Sequence, residues 1–202
     1  MNKIISLITT TVITLSLIPQ VSLGKNVGNT ETAILAGGCF WCIEADFEKL
    51  NGVTDVVSGY TGGFIKNPTY KQVSSGKSGH IEVVKITYQA DVISYSEILD
   101  YFWRHIDPTR NDGQFCDRGP QYRPAIFYLD ASQQSLAVQS TDKTNKIKPF
   151  KAPLKVELIK ASEFYPAEQY HQDYYKKNPI RYRFYRYNCG RDDRVEALWG
   201  KK

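Results

Sequence analysis

Methionine is almost missing from this 202-residue chain: Met1 is the only one. Cysteine is scarce as well, with four residues at positions 39, 42, 116 and 189. That density excludes a disulfide-dense mini-scaffold. The three histidines, His80, His105 and His171, form no second paired ligand motif. A zinc site built on Cys39 and Cys42 would therefore lack ligands, and no metal is expected. No internal repeat and no interdomain linker stands out, which makes residues 25–202 a single domain, large enough for an ordinary core. Hydrophobic residues at 42% and charged residues at 23% exclude disorder, collagen and coiled coil.

Residues 1–24 carry one charge, Lys3, followed by an uncharged run over residues 4–18. Pro19 breaks a helix, and Ser22-Leu23-Gly24 puts small residues at the −3 and −1 positions of a cleavage site. This is a secretory signal pattern, and the run is short for a span of about 20 residues. No Cys follows Gly24, so a lipoprotein is not expected. The expectation is an exported protein, periplasmic or secreted, in a compartment where disulfides persist. The net charge of +5 gathers in a tail where Lys176, Lys177, Arg181, Arg183, Arg186, Arg191 and Arg194 alternate with Tyr and Phe. Such interleaving suits nucleic acid, but export makes that a poor partner. The tail is read as a solvated basic face.

Hydrophobic spacing predicts strands over residues 32–36, 53–60, 81–88, 125–129 and 154–160. It predicts helices over residues 39–50, 94–106 and 131–146. Residues 66–79 and 111–123 read as long loops. In residues 81–88, Ile81, Val83, Lys85 and Thr87 alternate with Glu82, Val84, Ile86 and Tyr88. The element order suggests an α+β fold, a two-layer sandwich on the split βαβ, ferredoxin-like plait with long functional loops.

The sharpest feature is Gly37-Gly38-Cys39-Phe40-Trp41-Cys42. Cys39 stands where a strand enters a helix, where backbone N–H groups favour a thiolate and a lowered pKa is expected. The glycines let the backbone turn and approach a substrate closely. Cys42 lies one helical turn away, within disulfide reach. Phe40 and Trp41, large aromatics between two thiols, suit a pocket that grips a small apolar group beside the sulfur. Glu82, Tyr70, Tyr122 and Asp117 carry no signal as single residues.

Gly38-Cys39-Phe40-Trp41 resembles the signature of the A-class peptide methionine sulfoxide reductases. The likeness runs from about Thr32 to Trp199, through Gly59-Tyr60-Thr61-Gly62-Gly63, Asn67-Pro68-Thr69-Tyr70, Gly79-His80-Ile81-Glu82, residues 117–123 and Tyr170-His171-Gln172-Asp173-Tyr174. The resemblance implies a reductase of the S epimer of methionine sulfoxide, in proteins, in peptides and as the free amino acid. It implies Cys39 as nucleophile and a methyl pocket of Phe40 and Trp41. It implies Tyr70, Glu82 and Tyr122 on the sulfoxide oxygen with Glu82 giving the proton, and Asp117 placing that network. Cys39 then becomes a sulfenic acid, a second thiol closes a disulfide, and a thioredoxin-like donor reopens it. No bound cofactor is implied, and a monomer is expected. A buried Glu would supply a raised pKa for the acid.

Many relatives have Gly where this chain has Cys42, and resolve through a glycine-rich tail. Here three thiols compete: Cys42 is nearest, Cys189 lies in the tail, and Cys116 adjoins Asp117. Cys42 is favoured because it needs no loop movement, although a pair at i and i+3 could require the first helical turn to distort. Two other classes remain open. One is a thiol-disulfide oxidoreductase using Cys39 and Cys42, which leaves the Glu82 and Tyr122 motifs unexplained. The other is a binding domain stapled by two disulfides.

Overall fold

The computed structural model describes residues 28–201; the expected leader, residues 1–24, lies outside the described residues. The chain runs β1 (Thr30–Ala36), α1 (Phe40–Phe47), β2 (Val53–Thr61), α2 (Tyr70–Ser74), β3 (Ile81–Gln89) and α3 (Tyr95–Trp103). A small hairpin, β4 (Gly113–Gln114) and β5 (Asp117–Arg118), and a 3-10 turn at Pro120–Tyr122 precede β6 (Ala125–Tyr128). Then come α4 (Ala131–Ile147), β7 (Glu157–Lys160), β8 (Tyr165–Pro166), α5 (Tyr174–Lys177), α6 (Pro179–Asn188) and α7 (Arg191–Trp199). This is a mixed α/β fold around one six-stranded sheet of order β7-β6-β1-β3-β2-β8. Among the described residues only the β6–β7 pair of this sheet is parallel.

Strand alternation sorts side chains onto two faces. In β1, Ala33 and Leu35 join the main core while Ile34 and Ala36 face the other way. In β3, Val84, Ile86 and Tyr88 enter the main core, and Ile81 and Val83 the smaller cluster. Glu82 shares the face of Val84 and Ile86, so the period of two carries a carboxylate under the helices. The main core is closed by Phe40, Ile43 and Phe47 of α1 and by Ile98, Leu99, Phe102 and Trp103 of α3. Each of these side chains stabilises the fold by roughly 1.5–3 kcal/mol through burial. Ser94 starts α3 with a capping box to Glu97, and the Trp103 indole N–H donates to Ser140 Oγ of α4 at 2.9 Å.

Several expected elements change. Residues 66–79 are not all loop: α2 forms there because Thr69 and Gln72 make a reciprocal capping box. The loop over residues 111–123 holds the β4–β5 hairpin and the 3-10 turn. The strand expected over 154–160 shortens to Glu157–Lys160, and the helix expected over 39–50 to Phe40–Phe47. The basic tail folds into three helices; Lys176, Lys177, Arg181, Arg183 and Arg194 are exposed, as the solvated face requires, while Arg186 and Arg191 turn inward. Arg186 bonds both carboxylate oxygens of Asp46 at 3.0 Å, and Arg191, 2% exposed, bonds the carbonyls of Gly37 at 2.9 Å and His105 at 3.0 Å.

Candidate active site

The end of β1 delivers Gly37 and Gly38 to the start of α1. A Cβ on Gly38, whose φ is +85°, would come within 2.5 Å of Gln114 Cβ. Only glycine adopts that backbone there without strain. Gly38→Ala is expected to cost about 1–3 kcal/mol, read as a lower urea midpoint; an unchanged midpoint would show that the turn relaxes freely.

Cys39 is the N-cap of α1, with φ −49° and ψ 117°, outside the helical conformation. Cys42 sits in the first turn, its N–H donating to the Cys39 carbonyl at 3.1 Å. Both thiols are buried and free, and they are hydrogen-bonded to each other. Cys39 precedes the helix proper, so its backbone is not held to the i and i+3 geometry of a continuous helical turn. Cys116 and Cys189 are bonded to one another, with Cα atoms 4.8 Å apart.

The expected low pKa of Cys39 is corrected. Burial, the hydrogen bond to Cys42 and the charges of Cys42, Glu82 and Asp117 push it up. The amide that would have favoured a thiolate is taken: the Phe40 N–H donates to Glu82 Oε2 at 3.1 Å. Cys42 moves the other way, to about 7, because it accepts from Cys39 and faces Arg191 and Arg186, against the cost of burial. The first proton of the pair therefore leaves from the Cys42 side, where the cations are.

Glu82 is 2% exposed. Burial pushes its pKa up to about 8, opposed by the Phe40 amide and helped by the Asp117 and Cys42 charges. At neutral pH it is mostly a carboxylic acid, able to give a proton. The hydroxyls of Tyr70 and Tyr122 are hydrogen-bonded to each other and face Glu82. Burial raises both phenols, Tyr70 to about 12, so they stay donors. Tyr70 is positioned by Glu168, which accepts its N–H at 2.7 Å and the Tyr60 hydroxyl at 2.9 Å. Asp117 accepts from the Tyr185 hydroxyl at 2.6 Å, and burial raises its pKa.

Phe40, Tyr70 and His171 form an aromatic niche, with centroids 5.0 Å between Phe40 and His171 and 4.4 Å between Tyr70 and His171. Trp41 lies flat on Tyr174 at 3.7 Å, and its indole N–H donates to His171 Nδ1 at 3.0 Å. That bond puts the histidine proton on Nε2, which is buried and has no partner among the described residues. Burial lowers the His171 pKa and keeps it neutral. A separate cavity of about 530 Å³, lined by Arg104, His105, Arg186, Asp192 and Trp199, contains none of the cysteines and no buried acid. The carboxylates of Glu44, Glu48 and Asp173 lie within 4.8 Å of one another, but Lys176 already bonds Glu48 at 2.7 Å and Asp173 at 2.8 Å.

The structure thus brings Cys39, Phe40, Trp41, Cys42, Tyr70, Glu82, Asp117 and Tyr122 into one neighbourhood. Sequence reasoning gave no role to His171, Tyr174, Tyr185, Arg186 or Arg191. The first two lay inside a quoted motif; Arg186 and Arg191 were read only as part of the basic tail, and Tyr185 carried no local signal. The staple reading with two disulfides is not what forms, since one bridge exists and Cys39 and Cys42 are free.

The chain is similar to known proteins. Residues 31–202 match the family described as peptide methionine sulfoxide reductase. The chain is 53% identical over 193 residues to the peptide methionine sulfoxide reductase MsrA/MsrB of Vibrio cholerae, covering 93% of this chain but only 51% of that protein. It thus spans about half the length of that relative. It is 48% identical over 171 residues to the MsrA of Halalkalibacterium halodurans, covering 85% of this chain and 97% of that protein. Among solved structures, Mxr1 from Saccharomyces cerevisiae in reduced form is similar with a TM-score of 0.70 and 30% identity, covering 74% of this chain and 86% of that one.

Proposed function

The chain belongs to the peptide methionine sulfoxide reductase family, and from that premise we propose that it reduces the S epimer of methionine sulfoxide in proteins and peptides and as the free amino acid. The observation that carries the chemistry is the buried Glu82 carboxyl, bonded to the amide that follows the free thiol of Cys39. A sulfoxide oxygen leaves only after protonation. Glu82 gives that proton while Tyr70 and Tyr122 donate to the same oxygen. Phe40 and Trp41 hold the methyl group, and Asp117 keeps the acid in place. Cys39 attacks the sulfoxide sulfur, methionine departs, and the oxygen ends on Cys39 as a sulfenic acid. Cys42 condenses with it, forming the Cys39–Cys42 disulfide and releasing water. An external dithiol of the thioredoxin type then returns both thiols and carries away the oxidising equivalents as its own disulfide. No bound cofactor enters this cycle.

The finer fold reading goes with it. β1–α1–β2–β3–α3–β6, with spatial order β6-β1-β3-β2 and antiparallel neighbours, reads as the split βαβ plait, with Cys39 at the first strand-to-helix junction. The single domain over residues 25–202 works as a monomer, exported behind the leader at residues 1–24.

The test is an assay on resolved epimers with dithiothreitol. The S epimer of a peptide methionine sulfoxide should be consumed to completion and the R epimer left intact. Equal consumption of both, or of neither, would sink the reading. The hydrogen-bonded thiol pair favours one second reading, a general disulfide reductase; rapid reduction of insulin disulfides with no sulfoxide turnover would establish it instead.

A further inference from the structure

Helix α6 is tied to the segment Cys116–Asp117 by two links about one helical turn apart. Cys189, the C-cap residue of α6, is bridged to Cys116. Four residues earlier, the Tyr185 hydroxyl donates to Asp117 Oδ2 at 2.6 Å. The same ring stands edge-on to Trp41, with centroids 5.8 Å apart and planes at 79°. Tyr185 therefore touches both the second carboxylate of the site and the wall of the aromatic niche. The adjacent Arg186 anchors the helix to α1 through Asp46. The position of the Tyr185 hydroxyl is thus fixed from two sides.

Asp117 faces Glu82 of β3, Cys39 at the start of α1, Tyr70 of α2, Tyr122 of the 3-10 turn, Arg191 of α7 and its own neighbour Arg118. Burial works against its charge, and the Tyr185 hydroxyl is the direct hydrogen bond that opposes burial. An ionised Asp117 in turn helps Glu82 hold its proton.

We propose that Tyr185 is a positioning residue for sulfoxide reduction, holding the Asp117 carboxylate against the Glu82–Cys39 site, and that the Cys116–Cys189 bridge sets the placement of α6 that allows this contact. The inference rests on the reductase reading for its kinetic arm, and for its chemical arm on the Tyr185–Asp117 contact and its charge effect on Cys39.

Tyr185→Phe keeps the ring against Trp41 and removes only the donor. Losing that donor raises the Asp117 pKa, so Asp117 takes its proton at higher pH. The expected result is a kcat about tenfold lower, a KM within about twofold of wild type, and an acid limb of kcat/KM displaced upward by about one pH unit. A neutral Asp117 also relieves Cys39 of one negative neighbour. Iodoacetamide should therefore alkylate Cys39 several-fold faster in the variant near pH 6, whether or not sulfoxide is reduced. If wild type reduces no sulfoxide yet alkylation still accelerates, the reductase reading fails, while the hold of Tyr185 on Asp117 beside Cys39 stands. If alkylation, kcat and the acid limb all match wild type, the proposal is overturned. The double variant Cys116→Ser, Cys189→Ser should move the acid limb in the same direction and still release one methionine per enzyme. A wild-type limb in that variant would remove the bridge from the proposal.

Discussion

Cys39→Ser is expected to release no methionine, while Cys42→Ser releases one equivalent per enzyme and then stops. The first loss should exceed about 10⁴-fold, since the hydroxyl cannot accept the oxygen and the remaining groups only bind. The second follows from the geometry of the pair. Cys42 does not contribute to the bond made to the sulfoxide, but it is the thiol hydrogen-bonded to Cys39. Its competitors, Cys116 and Cys189, are already joined to each other. Without a reductant, wild type should yield one methionine and a Cys39–Cys42 bridge found by peptide mapping. In Cys42→Ser the sulfenic acid should persist on Cys39 and be captured by dimedone, and recycling by a thioredoxin-like donor should fall by about 10²-fold or more. A bridge from Cys39 to Cys189 or Cys116 after one turnover would mean that the resting disulfide rearranges, and would displace Cys42 as the resolving thiol.

The contrast between what was readable in the sequence and what was not follows the range of the forces involved. The two-residue period of β3 assigns Glu82 to the face of Val84 and Ile86, and the structure buries it there. The junction of β1 and α1 is readable because Gly37 and Gly38 end one period and Phe40, Ile43 and Phe47 begin another. α2 was missed because five residues are too few to show a period, although Thr69 and Gln72 carry its capping signal. The burial of Arg186 and Arg191 was invisible for a different reason. Their partners are Asp46, 140 residues away, and Gly37, 154 residues away. The Cys39 pKa was misjudged the same way: the helix amide is real, but Glu82, 42 residues on, accepts its hydrogen bond. Local patterns reveal which face a residue takes; they do not reveal which distant group occupies its donors.

Glu82→Gln is expected to slow sulfoxide reduction by about 10²–10⁴-fold with the fold intact. Glutamine has nearly the same shape, and its carbonyl still accepts the Phe40 N–H, so α1 keeps its start. What disappears is the transferable proton. Wild type holds that proton up to about 8, so its kcat/KM should fall as pH rises through 8. The thiol pair titrates close by, with Cys42 at about 7, and the limb belongs to Glu82 if it vanishes in the variant while the thiol limb stays. Stability gives an independent reading. The carboxyl binds its proton more tightly folded than unfolded, where 4.5 is its ordinary value. Its contribution is full below about 4.5 and is lost as pH rises through about 8. The glutamine variant has no such loss, so its urea midpoint should gain on wild type between pH 5 and pH 9. A variant within about threefold of wild-type rate at pH 6.5 would take the proton-donor role from Glu82. The donor would then have to be Asp117, the half-buried carboxyl that also faces Cys39.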